Sequence, residues 1–247
     1  MIDFEELAYH QTPLGELSLR RRTEPRANNQ LIYEVKLNDE FLMSSLFTAS
    51  EEALATLGIA AVDASVAGDA LELVVGGLGL GYTARAALDT ERVAKLWVID
   101  TLADLIGWHE RGLVPLGRHL SDDSRCEFVH ADFFKFPELG SALLSSKQPS
   151  RLFDAILLDI DHSPSHWLAS SNSGFYSAGT LEMLAQQLHS HGVFALWSND
   201  PESEEFMRLL RSVFAVVAAH RVEFPNPYTD GVSGCTVYVC NRSVLVS

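Results

Sequence analysis

The sequence predicts an α/β fold: a parallel sheet covered by helices on both faces, closed at one edge by a hairpin and preceded by a small antiparallel β unit. Three observations carry this. From residue 71 onward, short apolar runs (LELVV, AKLWVID, CEFVH, FDAILLD, GVFALWS) alternate with helix-compatible segments such as YTARAALD and TLEMLAQQLHS, the rhythm of parallel strands buried on both faces. The first of those strands runs into a glycine-rich turn, GGLGLG, that opens a helix. Residues 1 to about 45 instead show short, partly alternating segments divided by turn residues.

Taken in order, GELSLRRR, LIYEVKL and EFLMSS are expected hairpin strands, separated by TEPRANNQ and NDE, and define an N-terminal β unit over residues 1–48. Ser50 is expected to cap the helix EEALATLGIAAVDA, whose first turn is acidic, and residues 49–247 form the main domain. At the C-terminus SVFAVVAAHRVEF and GCTVYVC, joined by the turn-rich PNPYTDGVS, predict an antiparallel hairpin on the sheet edge. SALLSSKQPS reads as an exposed loop.

With 247 residues, 47% hydrophobic and 21% charged, the chain has ordinary globular composition. A formal net charge of -15 argues against nucleic-acid partners, because affinity for a phosphate backbone comes from Lys and Arg. The basic cluster from Leu19 to Arg22 reads as a solvated strand end. No apolar run approaches the ~20 residues that span a bilayer, and the acidic start MIDFEELAYH is unlike a secretory signal, so a cytoplasmic protein without membrane partners is expected. Cys126, Cys235 and Cys240 have neither disulfide-framework nor zinc spacing.

The chemistry concentrates at strand ends. Gly76, Gly77, Gly79 and Gly81, with Leu78 between them, let the backbone turn sharply and approach a ligand, while the following helix presents unpaired N–H groups to the same spot. The bland reading is a tight strand-to-helix turn. Asp100, 24 residues after Gly76 and followed by Thr101, ends the next strand, where a carboxylate can accept from both ribose hydroxyls or cap the helix TLADLIGWHE. CEFVHADFF ends another strand and sets Asp132 to bind an adenine amino group, with Phe133 beside the ring. Polar features at successive strand ends point to one crevice.

FDAILLDIDHSPSHWL adds Asp159 and Asp161, then His162 and His166. Two carboxylates one residue apart can attract an ammonium group and accept its proton, or cap the following turn. The two histidines are four apart, but Pro164 lies between them and no third ligand follows at a diagnostic spacing, so no metal is expected. His162 is read as a substrate-pocket group and His166 as structural. Trp108, Trp167 and Trp197 are candidates for pocket wall or core.

The order of glycine loop, ribose acid, HAD acid and terminal hairpin resembles the S-adenosylmethionine-dependent methyltransferase fold, and the blocks LWVIDTLADLIGWHERGLVPLG, RCEFVHADFFKF, FDAILLDIDHSP, FYSAGTLEMLAQQL and GVFALWSNDP resemble its spermidine synthase branch. The resemblance implies a seven-stranded, mostly parallel class I methyltransferase-like (Rossmann-like) sheet whose last strand is antiparallel, a homodimer, and S-adenosylmethionine or its decarboxylated form as co-substrate. It implies Asp159 as the base that deprotonates an attacking amine, Asp161 and His162 beside an amine-bearing small-molecule acceptor, and Tyr176 as a pocket wall.

The chain departs from the family pattern twice. Gly79 stands where the family loop carries an aspartate for the donor's amino group, and FLMSSLFTASEEALATLG lacks the family's glutamine and Tyr-His pair, leaving Glu51 or Glu52 as replacements. A loop without an acid suits a carboxylate tail, because backbone donors favour an anion. Alongside aminopropyl transfer stand two other readings: a methyltransferase acting on a small molecule, and a non-catalytic nucleoside-binding or interaction module.

Overall fold

A computed structural model describes residues 3–38, 40–144 and 150–243 of the chain. Four antiparallel strands come first: β1 (Glu5–Thr12), β2 (Gly15–Glu24), β3 (Gln30–Leu37) and β4 (Glu40–Ser44), paired in that order. The sequence reading had three of them. β1, EELAYHQT, mixes helix-favouring residues with no clean alternation and becomes a strand by pairing along β2. The arginines of LRRR lie within β2 rather than at a solvated end. Each meets an acid: Arg20 with Glu34 (2.7 Å), Arg21 with Glu5 (2.7 Å) and Arg22 with Glu24 (2.6 Å), on neighbouring strands or further along β2 itself.

Helix α1 (Ala49–Ala60) starts earlier than expected, with Thr48 in the N-cap position; the Ser50 hydroxyl instead donates to Glu51 Oε2 at 2.6 Å. After the short α2 (Ala64–Ala67), capped by Asp63, the alternation begins. In chain order it runs β5 (Leu71–Gly76), α3 (Tyr82–Leu88), β6 (Val93–Asp100), α4 (Ala103–Glu110), α5 (Gly117–Ser121) and β7 (Cys126–His130). It continues with α6 (Phe136–Leu139), β8 (Phe153–Leu158), α7 (Ala178–Ala185), β9 (Leu188–Ser198), α8 (Glu204–Val213), β10 (Val216–Asn226) and β11 (Gly231–Asn241). Ser177 and Ser203 cap α7 and α8 through their hydroxyls, as short polar side chains ahead of a helix do. Of the loop expected at SALLSSKQPS, residues 145–149 lie outside the described residues.

The second sheet has seven strands in the order β10-β11-β9-β8-β5-β6-β7. The five strands from β9 to β7 are parallel, and the last strand, β11, runs antiparallel between β9 and the edge strand β10. Every residue of β8 is buried, as its near-continuous apolar run requires, and its one acid, Asp154, accepts from Glu72 N at 2.8 Å and meets His191 Nε2 at 2.8 Å. Two apolar layers cover the faces. One joins Leu73, Val75, Leu157 and Ala195 to α1, α3, α4 and the N-terminal Leu17, Leu19 and Val35; the other joins Val74, Ile156 and Phe194 to Phe133, Phe136, α7 and α8. Chain order reverses direction across β5, so the carboxyl ends of β5, β6 and β8 open onto one crevice.

Candidate functional site

The glycine loop leaves β5 with positive φ at Gly77 (97°), Gly79 (47°) and Gly81 (92°). Two of its glycines are set by close packing. A Cβ on Gly77 would lie 2.0 Å from the Asp159 carbonyl oxygen, and one on Gly76 would lie 2.5 Å from the Phe133 ring. Bare backbone is what lets the tips of β5 and β8 and the turn after β7 meet. A Cβ on Gly79 would strike Met43, whose side chain reaches over the loop from the N-terminal sheet.

Asp100 holds this loop. Its Oδ2 accepts from Leu78 N at 2.9 Å and its Oδ1 from Leu102 N at 2.8 Å, so one carboxylate fastens the loop and caps the turn into α4. Burial pushes its pKa up, against these backbone donors. Asp132 likewise accepts from Phe134 N at 3.0 Å. Gly77, Gly79, Asp100, Thr101, Asp132, Phe133 and Asp159 all line a single cavity of about 1590 Å³, whereas Gly76, Leu78 and Gly81 shape the loop behind it.

The second half of the site is a buried acid pair. Thr83, in the first turn of α3, donates to Asp159 Oδ2 at 2.6 Å and lies 3.3 Å from the Glu51 carbonyl oxygen. Asp159 is pushed up to about 7 by burial and then by the negative charge of Glu51, with Thr83 and the Trp197 N–H opposing. Glu51, only 8% exposed, is also raised by burial, with the Ser50 hydroxyl opposing. Trp197 Nε1 is buried and completes no hydrogen bond of good geometry. Glu51, Ser50, Trp197 and Cys235 line the same cavity as Asp159. The pair attracts a cation and provides one carboxylate able to take up a proton near neutral pH.

Asp161, His162 and Tyr176 do not line the cavity. Asp161 is 3% exposed and accepts from Leu168 N, Asn172 Nδ2 and Tyr176 Oη, all at 2.8 Å. It ties down the segment whose Leu168, Ala169 and Asn172 form the cavity wall. The His162 and His166 rings meet edge to face, 5.2 Å apart. Among the described residues no cluster of three or more His, Cys, Asp or Glu side chains is placed to hold a metal ion. Trp108 is core, and Trp167 is 38% exposed with its N–H on the Pro164 carbonyl.

The far end of the cavity lies between the N-terminal sheet and the β10–β11 hairpin. Arg22 reaches Glu34 at 2.9 Å, Glu24 at 2.6 Å and Tyr228 Oη at 3.1 Å, and Tyr228 donates to Glu24 at 2.8 Å. Phe47 packs on Phe224 and Tyr228. Sequence reasoning did not find Arg22, Tyr228, Met43 or Thr83, since each reaches the site only through long-range packing. Glu51 carried a signal as an acid in the stretch where the expected polar groups are absent.

No family model matches the chain, and no curated protein matches it. Solved structures do. A spermidine synthase in complex with the transition-state analogue AdoDATO superposes with a TM-score of 0.72 at 15% identity, covering 97% of this chain and 74% of that one. The spermidine synthase from Thermotoga maritima gives 0.71 at 15%, covering 97% and 73%. Human methyltransferase-like protein 13 in complex with SAH gives 0.57 at 16%, covering 78% and 82%. The seven-stranded sheet with its N-terminal antiparallel sheet is thus a known architecture: the chain has the spermidine synthase-like form of the methyltransferase fold.

Proposed function

We propose that the protein is a transferase that binds an S-adenosylmethionine-type donor and moves an aminopropyl group to an amine acceptor. One observation carries this: Asp100 and Asp132 on one side of the glycine loop, and Asp159 with Glu51 on the other, line one cavity of about 1590 Å³. The residues fit such a donor. Both Asp100 oxygens retain acceptor capacity beyond their backbone partners, suiting vicinal hydroxyls, and the loop offers bare glycine backbone for close approach.

The donor supplies an electrophilic carbon next to a sulfonium, and the protein's task is alignment and proton removal. An amine is protonated at neutral pH and attacks only after losing a proton. Glu51 and Asp159 together draw the ammonium into the cavity. Asp159 then takes its proton, helped by a pKa raised toward neutrality.

Methyl transfer from intact S-adenosylmethionine is the second reading. Gly79 favours it: the loop has no acid to repel a carboxylate tail, and a thioether, Met43, lies over it. A paired assay with putrescine and both nucleosides tests the two. Aminopropyl transfer from the decarboxylated donor supports the first reading and methyl transfer the second. Absence of both products, with no heat on titrating methylthioadenosine, overturns both and leaves a non-catalytic module.

A further inference from the structure

His109 is completely buried in the last turn of α4, away from the cavity lining, yet it touches the glycine loop. Its Nε2 lies 2.7 Å from the Gly79 carbonyl oxygen. A carbonyl only accepts, so Nε2 carries the proton and Nδ1 is the bare nitrogen, which has no hydrogen-bond partner. The residue is packed closely through both backbone and ring. A Cβ on Gly81 would lie 3.0 Å from His109 Cε1, one on Gly117 would lie 2.6 Å from the His109 carbonyl oxygen, and Phe128 meets the ring edge-on at 5.6 Å. Burial lowers its pKa to about 4, with the Gly79 carbonyl opposing, so the imidazole stays neutral at physiological pH.

The consequence lies in the Gly79–Leu80 peptide. In a trans peptide the C=O and the following N–H point opposite ways. With the Gly79 carbonyl drawn inward to His109, the Leu80 N–H faces the other side, where it donates to the Met43 sulfur. Met43 and Gly79 both line the cavity. Glycine at this position tolerates more than one orientation of that peptide, and the bond to His109 removes the freedom.

We infer that His109 is the positioning residue of the glycine loop: its Nε2–H holds the Gly79 carbonyl inward, so that the Leu80 N–H is aimed at the Met43 sulfur and Gly79 keeps its place in the cavity wall. The inference rests on the reading of this cavity as a nucleoside site. Asp100 on Leu78 N and His109 on Gly79 O then fix the Gly77–Leu78 and Gly79–Leu80 peptides, one on each side of the Leu78–Gly79 peptide, from two different elements.

The test compares wild type, His109→Phe and His109→Gln by calorimetric titration with methylthioadenosine, together with circular-dichroism melts. His109→Phe, which fills the volume without a donor, is expected to stay folded and bind about tenfold more weakly, and His109→Gln, which restores an N–H, to recover most of the loss. A folded His109→Phe that binds like wild type, or a His109→Gln as weak as it, overturns the inference. Should His109→Phe not fold, nitrogen NMR of the wild-type ring decides. An Nε2–H tautomer unchanged between pH 8 and about 5.5 supports the inference, and an Nδ1–H tautomer or a titration near the free-histidine value of about 6.5 overturns it. Failure of wild type to bind methylthioadenosine sinks the nucleoside reading alone. The His109 role is then read from the Gly79 and Leu80 amide shifts, which are displaced in His109→Phe and restored in His109→Gln if it holds, and undisturbed if it does not.

Discussion

Asp159 meets two opposed demands, and its substitutions separate them. Burial and the Glu51 charge raise its pKa to about 7, so the folded state favours the protonated form. The associated stability is fully present below the unfolded carboxylate range and is lost as pH rises through about 7. Asp159→Asn removes that loss and is expected to raise the melting temperature at pH 8 by about 2–4 °C while cutting turnover by about a hundredfold or more, with nucleoside binding kept. A melting point that does not rise places the charge elsewhere. As a base Asp159 works only when ionised, so the rate at saturating acceptor should climb with pH through about 7 and then level. Glu51→Gln removes the like charge and should move that limb to lower pH; a limb that stays put or moves upward would separate the two acids. Asp100→Ala acts on another step. It frees Leu78 N and Leu102 N and removes the proposed ribose contact, so the loss should appear in nucleoside Kd, by about tenfold or more, read by calorimetry.

At the scale of elements, the site is assembled where five segments end: the loop after β5, the tips of β6 and β8, the turn after β7 and the start of α1. The glycine loop is clamped from two directions, and the far end of the cavity is closed by the contact between the N-terminal sheet and the β10–β11 hairpin. That contact is narrow. Tyr228 donates to Glu24 and accepts from Arg22 across more than 200 residues of sequence. Tyr228→Phe keeps the ring against Phe47 but removes both hydrogen bonds; the expected cost is about 1 kcal/mol of stability in a urea titration. If the cavity's far end holds acceptor, its KM should rise more than kcat falls. A variant unchanged in both would show the hairpin to be held by ring packing alone.

At the scale of the whole molecule, the N-terminal sheet is part of the main core. Leu17, Leu19 and Val35 are buried in the same apolar cluster as Leu54, Leu73 and Trp108. Leu19→Ala should therefore cost about 2–5 kcal/mol and destabilise the entire chain in one transition, with far-ultraviolet dichroism and tryptophan fluorescence unfolding together in urea. Two separated transitions would make the N-terminal sheet an independent unit.

Much of this was legible in the sequence because it is written in local periods. Apolar runs such as AILL in β8 fix a strand buried on both faces. An acid after such a run has to lie at the strand's end, which is why Asp100, Asp132 and Asp159 were found and meet in one cavity. The small departures have local causes as well: β1 lacks alternation, and the start of α1 depends on a turn in which Thr48 leads and Ser50 turns to Glu51. Other features carry no local signature. That Asp161 and Tyr176 bond to each other behind the wall, and that Glu51 joins Asp159 through Thr83, depends on distances between residues 15 to more than 100 positions apart.

By itself the sequence determined the alternation of strands and helices, the glycine loop and the acids at strand tips, because each follows from side-chain periodicity or backbone freedom over a few residues. Only the tertiary structure decided which acids lie buried together, with the charge of Glu51 raising the pKa of Asp159, that Met43 covers Gly79, and that a buried imidazole fixes the loop from behind. Burial and charge–charge coupling are properties of proximity in space, and a chain reveals them only once it has folded.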